Sequence, residues 1–150
     1  MSFFQKRFPA GLTAVVVPGL VFFAVISLGY DGKPFLRGDC QYYVEAGRSI
    51  AKDGDLDIRN QLCLPWAVHN GQVALDQYGR LVPKHPLWLS VAAIPLIVTL
   101  GDQGALVFNF FQLLLLCALM FVLAESVAKP WPSALAVCCT TLLSFLPHYA

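Results

Sequence analysis

Charged side chains are scarce in this sequence and account for only 13% of its 150 residues. Soluble domains carry about 25% charged residues, so the chain lacks the polar surface that such a domain exposes to water. Apolar residues make up 57% of the chain, and its mean hydropathy is +0.64. The net charge of +1 supplies no basic face for nucleic acid. The sequence therefore predicts an integral membrane protein without a nucleic-acid partner.

The five cysteines show neither Cys-x-x-Cys nor Cys/His zinc spacing, so no metal site and no cofactor is predicted. Cys138 and Cys139 lie in an apolar run, where cysteine acts as a small hydrophobic residue. Cys40 and Cys63 fall in a polar stretch, and an oxidising compartment allows them to form a disulfide. Their spacing in sequence leaves that bridge open.

Three apolar runs are long enough to predict membrane spans, at about 8–30, 105–127 and 133–147. A span needs about 20 residues for the ~30 Å hydrocarbon core. The first run exceeds the roughly 7–15 apolar residues of a cleaved signal peptide, so we predict an uncleaved helix. The run 87–100 is shorter and contains Pro95, which suits an interfacial or re-entrant helix.

The positions of the basic residues predict the orientation. With three spans, Lys6, Arg7 and Lys129 all lie in the cytoplasm, as the positive-inside tendency prefers, and the loop 31–86 lies outside. If the run 87–100 crossed as well, Lys129 would move outside. We therefore predict three spans, within a single membrane domain over 1–150.

The loop 31–86 is neutral, because it holds equal numbers of acidic and basic residues, and its sequence predicts local structure. Asp39 can cap a helix that ends at Lys52, and Gly54 is a natural stop after it. On this helix Tyr43, Ala46, Gly47, Ile50 and Ala51 share one face, while Gln41, Glu45, Arg48 and Lys52 share the other.

Two turn signals follow further along the loop. Asn70-Gly71 and Tyr78-Gly79 predict turns on either side of a short extended stretch at 73–75.

Three segments of the loop resemble, in the correct order, the first external loop of GT-C fold glycosyltransferases. They are Gly38-Asp39-Cys40-Gln41-Tyr42-Tyr43, Ala51-Lys52-Asp53-Gly54-Asp55-Leu56-Asp57 and Tyr78-Gly79-Arg80-Leu81-Val82-Pro83-Lys84-His85-Pro86. The group includes the protein O-mannosyltransferases and the aminoarabinose transferases that act on lipid A. The resemblance covers nearly the whole chain and departs from the group at Cys40, where a second acid is common, and at Leu87-Trp88, where Pro-Gly is usual.

This resemblance implies an all-α integral membrane fold: a GT-C-like amino-terminal transmembrane bundle with a structured first external loop that contains juxtamembrane helices. It also favours three spans. The implied activity transfers a sugar from a polyprenyl-phosphate-linked donor to a lipid, glycan or protein acceptor on the external face. The implied location is a bacterial inner membrane, with a multi-pass chain and a cytoplasmic amino terminus.

Asp39 is the catalytic candidate, because such a transfer needs the carboxylate of an acidic residue to take the proton of the acceptor hydroxyl or to orient that hydroxyl. Lys84, with His85 beside it, is the candidate partner of the donor phosphate. Each has a structural alternative, since Asp39 can serve as a helix cap and Lys84 as an interfacial lysine. Tyr42 and Tyr43 either stack on a sugar ring or lie at the interface as amphipathic aromatics.

Asp55-Leu56-Asp57 is similar to the Asp-x-Asp of metal-dependent transferases, but a solvated turn after a helix is favoured. Two readings compete with the enzyme. One is a small non-enzymatic membrane protein whose loop binds a lipid or protein partner, and the other is an inactive truncated relative. We expect the chain to be the amino-terminal part of an enzyme and to be inactive alone.

Overall fold

The computed structural model describes residues 3–29, 40–62, 71–84 and 86–149, and these are mostly helical. Their elements are, in order, α1 (Phe3–Gly29), α2 (Cys40–Lys52), a 3-10 helix (Ile58–Asn60), β1 (Val73–Leu75), β2 (Leu81–Pro83), α3 (Trp88–Leu100), α4 (Gln103–Glu125) and α5 (Pro130–Tyr149). The chain forms two compact units. We call residues 1–31 with 109–150 the helix unit, and residues 32–108 the loop unit.

Small side chains bring α1 and α5 together in the helix unit. Ala10 and Ala14 of α1 are fully buried and share a cluster with Ala134 and Val137 of α5. Small residues let helix backbones approach closely, which increases dispersion contact where the hydrophobic effect is weak. The Sγ atom of Cys138 also lies 3.8 Å from the carbonyl oxygen of Thr13.

Large side chains of α4 pack instead against glycines of α1. A Cβ atom on Gly11 would lie 3.1 Å from the Phe121 ring, and one on Gly19 would lie 2.9 Å from Leu114. The pairing of early α1 with late α4 residues makes these helices antiparallel. Arg7 and Glu125 confirm it, since Nε of the arginine lies 2.8 Å from Oε2 of the carboxylate.

Two helices are long and apolar enough to cross a membrane, α1 over Arg7–Ile26 and α4 over Gln103–Glu125. Their most apolar windows are only 28% and 11% buried within the structure. The core helix of a soluble protein would be mostly buried, so these apolar surfaces need another cover. The third predicted span falls in α5, whose described side chains cover only 130–144, and it stays a prediction.

The loop unit is built around α2, which packs on two sides. On one side Tyr42 and Ala46 form a buried cluster with Ile58, Val73 and Leu81. On the other side Val44 packs with residues of α3. Gly47 makes this second contact close, because a Cβ atom there would lie 2.8 Å from the Ile97 side chain and 3.3 Å from a backbone oxygen of α3.

The predicted extended stretch is confirmed as β1, which pairs antiparallel with β2 from Val73↔Pro83 to Leu75↔Leu81. The predicted turn at Tyr78-Gly79 is also confirmed, with Gly79 at φ +74. The sequence does not indicate β2, since three residues ending in proline are too few to show an alternating pattern. Asn70, part of the other predicted turn, lies outside the described residues.

The helix predicted up to Lys52 is confirmed as α2, but its predicted apolar face is buried only at Ala46 and Gly47, and Ala51 is exposed. Glu45 and Ser49 are buried, because neighbours pack on two sides of this helix. α3 has 13 residues and is therefore about 20 Å long at 1.5 Å per residue. A tight turn joins it to α4, with Gly101 at φ +63.

Candidate functional site

Lys84 follows β2 directly, and its backbone is held by the hairpin. The Lys84 N–H donates to the carbonyl oxygen of Gln72 at 3.0 Å, which fixes the residue just beyond the last strand pair. Its side chain is exposed, and α3 begins four residues later at Trp88. The structure thus presents a primary amine close in sequence to the amino end of an apolar helix.

The hairpin that carries Lys84 is stabilised by Asp76. Its Oδ1 atom accepts hydrogen bonds at 2.9 Å from the backbone N–H groups of Tyr78 and Arg80, and its Oδ2 atom accepts one from Arg80 Nε at 2.7 Å. Desolvation opposes ionisation of this carboxyl, but these hydrogen bonds outweigh it and lower the pKa of Asp76. The Arg80 guanidinium also lies 5.2 Å from the centre of the Tyr78 ring.

Of the other candidate residues, the structure describes Tyr42 and Tyr43 but not Asp39 or His85. Tyr42 is buried in the α2 cluster, while the neighbouring Tyr43 is half-buried. Asp39 and His85 lie outside the described residues, and so does the candidate disulfide from Cys40, because Cys63 is not described. The structure therefore leaves the roles of these residues as predictions.

The Asp-x-Asp segment acts as a structural tie. Asp55 Oδ1 accepts hydrogen bonds from the hydroxyl of Ser49 at 2.8 Å and from the backbone N–H of Asp57 at 3.0 Å. Asp57 Oδ1 accepts from the N–H groups of Arg59 at 3.2 Å and Leu81 at 3.1 Å. Together these half-buried carboxylates therefore connect α2, the 3-10 helix and β2, which differs from the solvated turn that was predicted.

A polar network on α2 was not expected from the sequence. Arg48 bonds both oxygens of Glu45, at 3.1 and 3.3 Å, and its other terminal nitrogen bonds the Asp102 carboxylate in the α3–α4 turn. Burial raises the pKa of Glu45, and the Arg48 guanidinium beside it only partly offsets this. The spacing of Glu45 and Arg48 signals their pairing, whereas nothing local signals a partner 54 positions away.

A groove of about 350 Å³ lies beside this network. Its polar side is formed by Arg48, Lys52 and Gln61, and its apolar side by Ile97 and Val98 of α3. Because Arg48 is already paired with Glu45 and Asp102, Lys52 is the side chain of this lining that is placed to meet an anionic group attached to a hydrocarbon chain. The loop unit thus carries two cationic positions near α3. Lys84 is close to α3 in the sequence, and Lys52 lies beside it in the groove.

No protein-family model matches the chain, and neither curated protein sequences nor solved structures show a match to it.

Proposed function

We propose that this chain takes part in transferring a sugar from a polyprenyl-phosphate-linked donor to an acceptor at the external face of a bacterial inner membrane. α1 and α4 would cross the membrane, α5 would form the third span, and the loop unit would lie outside. Within this proposal Lys84, helped by His85, binds the donor phosphate, and Asp39 handles the acceptor proton. The half-buried Tyr43 would line the sugar side of the site, whereas the buried Tyr42 packs within the α2 cluster.

The exposure of Lys84 near the start of α3 carries the proposal. α3 leaves Trp88, Val91 and Val98 exposed at 64%, 52% and 64%, although it belongs to the most polar part of the chain. At about 20 Å it is too short to cross a ~30 Å hydrocarbon core. An apolar helix lying at the membrane surface would cover these side chains with lipid, and the lysine would then meet phosphate at the headgroup level.

Substitutions at Lys84 test the phosphate contact. In the full chain reconstituted in nanodiscs, Lys84→Met keeps the apolar stem and removes the ammonium, while Lys84→Arg keeps the charge with a different hydrogen-bond geometry. We expect affinity for a polyprenyl-phosphate sugar to fall in the order wild type, Arg, Met. A loss of about 1–3 kcal/mol for Met fits removal of a charged hydrogen bond.

Lys52→Met is the matched control for this series, because it removes another exposed lysine of the same unit. Equal binding by wild type and Lys84→Met would reduce Lys84 to an interfacial anchor. If only Lys52→Met lost affinity, the phosphate site would lie in the groove beside Arg48 instead.

Asp39→Asn tests the proposed catalytic role in any preparation that shows transfer. Asparagine can still cap a helix, so folding should change little. Turnover should fall about 100-fold or more if the carboxylate is a general base. A well-expressed variant with normal turnover would leave Asp39 as a cap only.

Site-directed labels test the orientation. Cysteine or glycosylation tags next to Asp57 should report the external side, and tags next to Lys129 the cytoplasmic side. An external signal at Lys129 would contradict the three-span arrangement.

A further inference from the structure

Two open grooves run along α4 in the helix unit, and they differ in charge. The groove between α4 and α5 has a volume of about 350 Å³ and is lined by apolar residues together with Ser126 and Thr140, so its lining carries no charge. The groove between α1 and α4 is larger, at about 490 Å³, and its lining includes Arg7. Only the second groove therefore offers a contact for an anion.

The shape of the α1–α4 groove follows from how these helices pack. Phe121 fills the space beside Gly11, while the short side chain of Ala118 leaves room next to it. Leu12 and Phe8 form the opposite wall and are 53% and 76% exposed. The result is an open apolar channel along residues 7–15 of α1, about 12 Å long at 1.5 Å per residue, on the surface of two helices that are each apolar enough to cross a membrane.

Arg7 is positioned to present its guanidinium at one end of this channel. Its Nε atom is bonded to Glu125, whose side chain is only 7% exposed, while the arginine side chain is 45% exposed. The second carboxylate oxygen, Glu125 Oε1, has no hydrogen-bond partner among the described side chains, so the terminal nitrogens of Arg7 do not bond it. An arginine fixed through Nε keeps its outer donors available for a planar, bidentate contact with phosphate.

The same end of the helix unit carries further positive charge. The exposed Lys129 lies in the short connection after α4, and Lys6 precedes Arg7 in the sequence. The bases at this end therefore outnumber Glu125, the acid that holds Arg7 in place. An anionic ligand meets favourable charge here, although Arg7 itself is already paired once.

We infer that the α1–α4 groove binds an anionic glycerophospholipid of the surrounding membrane, with one acyl chain along the channel and the headgroup phosphate on Arg7. A free phosphate would not need the channel, and an uncharged hydrocarbon would not need the arginine. The inference rests on the proposed membrane crossing of α1 and α4.

Native mass spectrometry of the detergent-extracted full chain tests this site. The chain is incubated with equal amounts of phosphatidylglycerol and phosphatidylcholine that carry the same acyl chains. We expect phosphatidylglycerol to be retained about fivefold over phosphatidylcholine, the preference typical of one arginine at a membrane surface. Arg7→Lys should keep part of this preference. The double variant Arg7→Gln with Glu125→Gln should lose it, without leaving a buried carboxylate unpaired.

Three matched variants separate the headgroup contact from the channel. Lys129→Gln removes a charge at the same end without touching the groove, and it should lower the preference by less than the double variant does. Ala118→Phe fills the channel and should lower the retention of both lipids, whereas Ala136→Phe fills the uncharged groove and should not. An unchanged preference in the double variant would overturn the phosphate contact, and unchanged retention in Ala118→Phe would overturn the channel.

Different results would contradict the proposed membrane crossing and the proposed lipid site. Release of the chain from membranes by alkaline carbonate would contradict the membrane crossing itself. A chain that stays integral but shows no effect of the double variant would contradict the lipid site alone.

Discussion

The helix unit and the loop unit are stabilised by different kinds of contact. In the helix unit small buried residues such as Ala10 and Ala134 pack between helices, and the polar contacts between helices include the Arg7–Glu125 pair and two thiol contacts. In the loop unit side-chain hydrogen bonds join distant parts of the chain, as Asp57 does with the Leu81 N–H and Arg48 with Asp102. A helix satisfies its own backbone, whereas the irregular backbone of the loop unit also uses side-chain acceptors such as Asp57.

The outer surfaces of the two units differ in the same way. α4 exposes large apolar side chains on most of its length, among them Leu115, Leu119 and Leu123. The loop unit exposes charged residues around its apolar α3, including Lys52, Asp53 and Lys84. One chain thus combines a surface suited to hydrocarbon with a surface suited mainly to water. This pattern supports the proposal of a membrane protein with a folded external loop.

The largest expected loss of stability comes from shortening a buried side chain. Ile58 is fully buried in the loop unit, so Ile58→Ala should cost about 2–5 kcal/mol through lost burial and the cavity it leaves. Leu119 on α4 is 60% exposed, and Leu119→Ala should change stability by less than about 0.5 kcal/mol. Pulse proteolysis in urea, with the full chain in micelles, measures both. A large loss for Leu119→Ala would show that this face packs against protein and not lipid.

The next effect concerns glycines at close contacts. A Cβ atom on Gly104 would lie 2.2 Å from the backbone oxygen of Leu96, so Gly104→Ala should shift the α3–α4 turn and cost about 1–3 kcal/mol. Gly19→Ala in the helix unit meets the flexible end of Leu114 at 2.9 Å, which can move away, and touches the Phe110 ring at an ordinary contact distance of 3.5 Å. The same proteolysis assay should show that Gly104→Ala is much less stable than Gly19→Ala. Equal stability would mean that the turn is looser than its geometry implies.

Local sequence signals were sufficient to predict the helices and one strand. The long apolar runs predicted α1 and α4, and the position of Gly54 after Lys52 predicted the end of α2. Helix periodicity did not predict the burial of Glu45, because that burial depends on neighbours that pack on two sides of α2. The same limit applies to Asp102, whose bond to Arg48 joins residues far apart in sequence.

The candidate site was predictable only in part. The exposure of Lys84 suits both the phosphate role and the interfacial alternative, whereas the burial of Tyr42 in an apolar cluster is a packing outcome that its sequence neighbours do not signal. The second cationic position, in the groove beside α3, required the folded contact between α2 and α3. Patterns along one helix reveal which residues share a face, but not which residue of another element meets them.

A smaller effect is expected from the polar ties of the loop unit. Asp57→Ala removes the acceptor for the backbone N–H groups of Arg59 and Leu81, and should cost about 1–2 kcal/mol, the upper part of the range for a lost helix cap. Asp57→Asn retains a side-chain oxygen and should lose much less. Thermal unfolding of the two variants side by side measures the difference. Equal losses would mean that the charge of Asp57, and not its acceptor geometry, matters.

The smallest effect is a pH dependence that belongs to Glu45. Burial raises its pKa above the ordinary value of 4.5, so the folded loop unit binds this proton more tightly than the unfolded chain does. The resulting stabilisation is fully present below pH 4.5 and is lost as the pH rises through the higher folded value. Arg48 and Lys52 on α2 and Asp102 in the turn are the charged groups that act on it. Asp76 has a lowered pKa in the folded chain. Its contribution to stability is therefore lost only as the pH falls below 3.8, the ordinary pKa of this carboxyl.

The two carboxyls therefore act in separate pH windows, which allows Glu45 to be tested alone. Glu45→Gln keeps an acceptor for Arg48 and removes the titration. The difference in melting temperature between wild type and Glu45→Gln should shift in favour of wild type as the pH is lowered from 7 towards 4.5. Asp76→Asn is the control and should leave the wild-type slope unchanged in this range. A difference that shifted the other way would mean that the pair with Arg48 outweighs burial, and that Glu45 is ionised more readily in the folded chain than in the unfolded one.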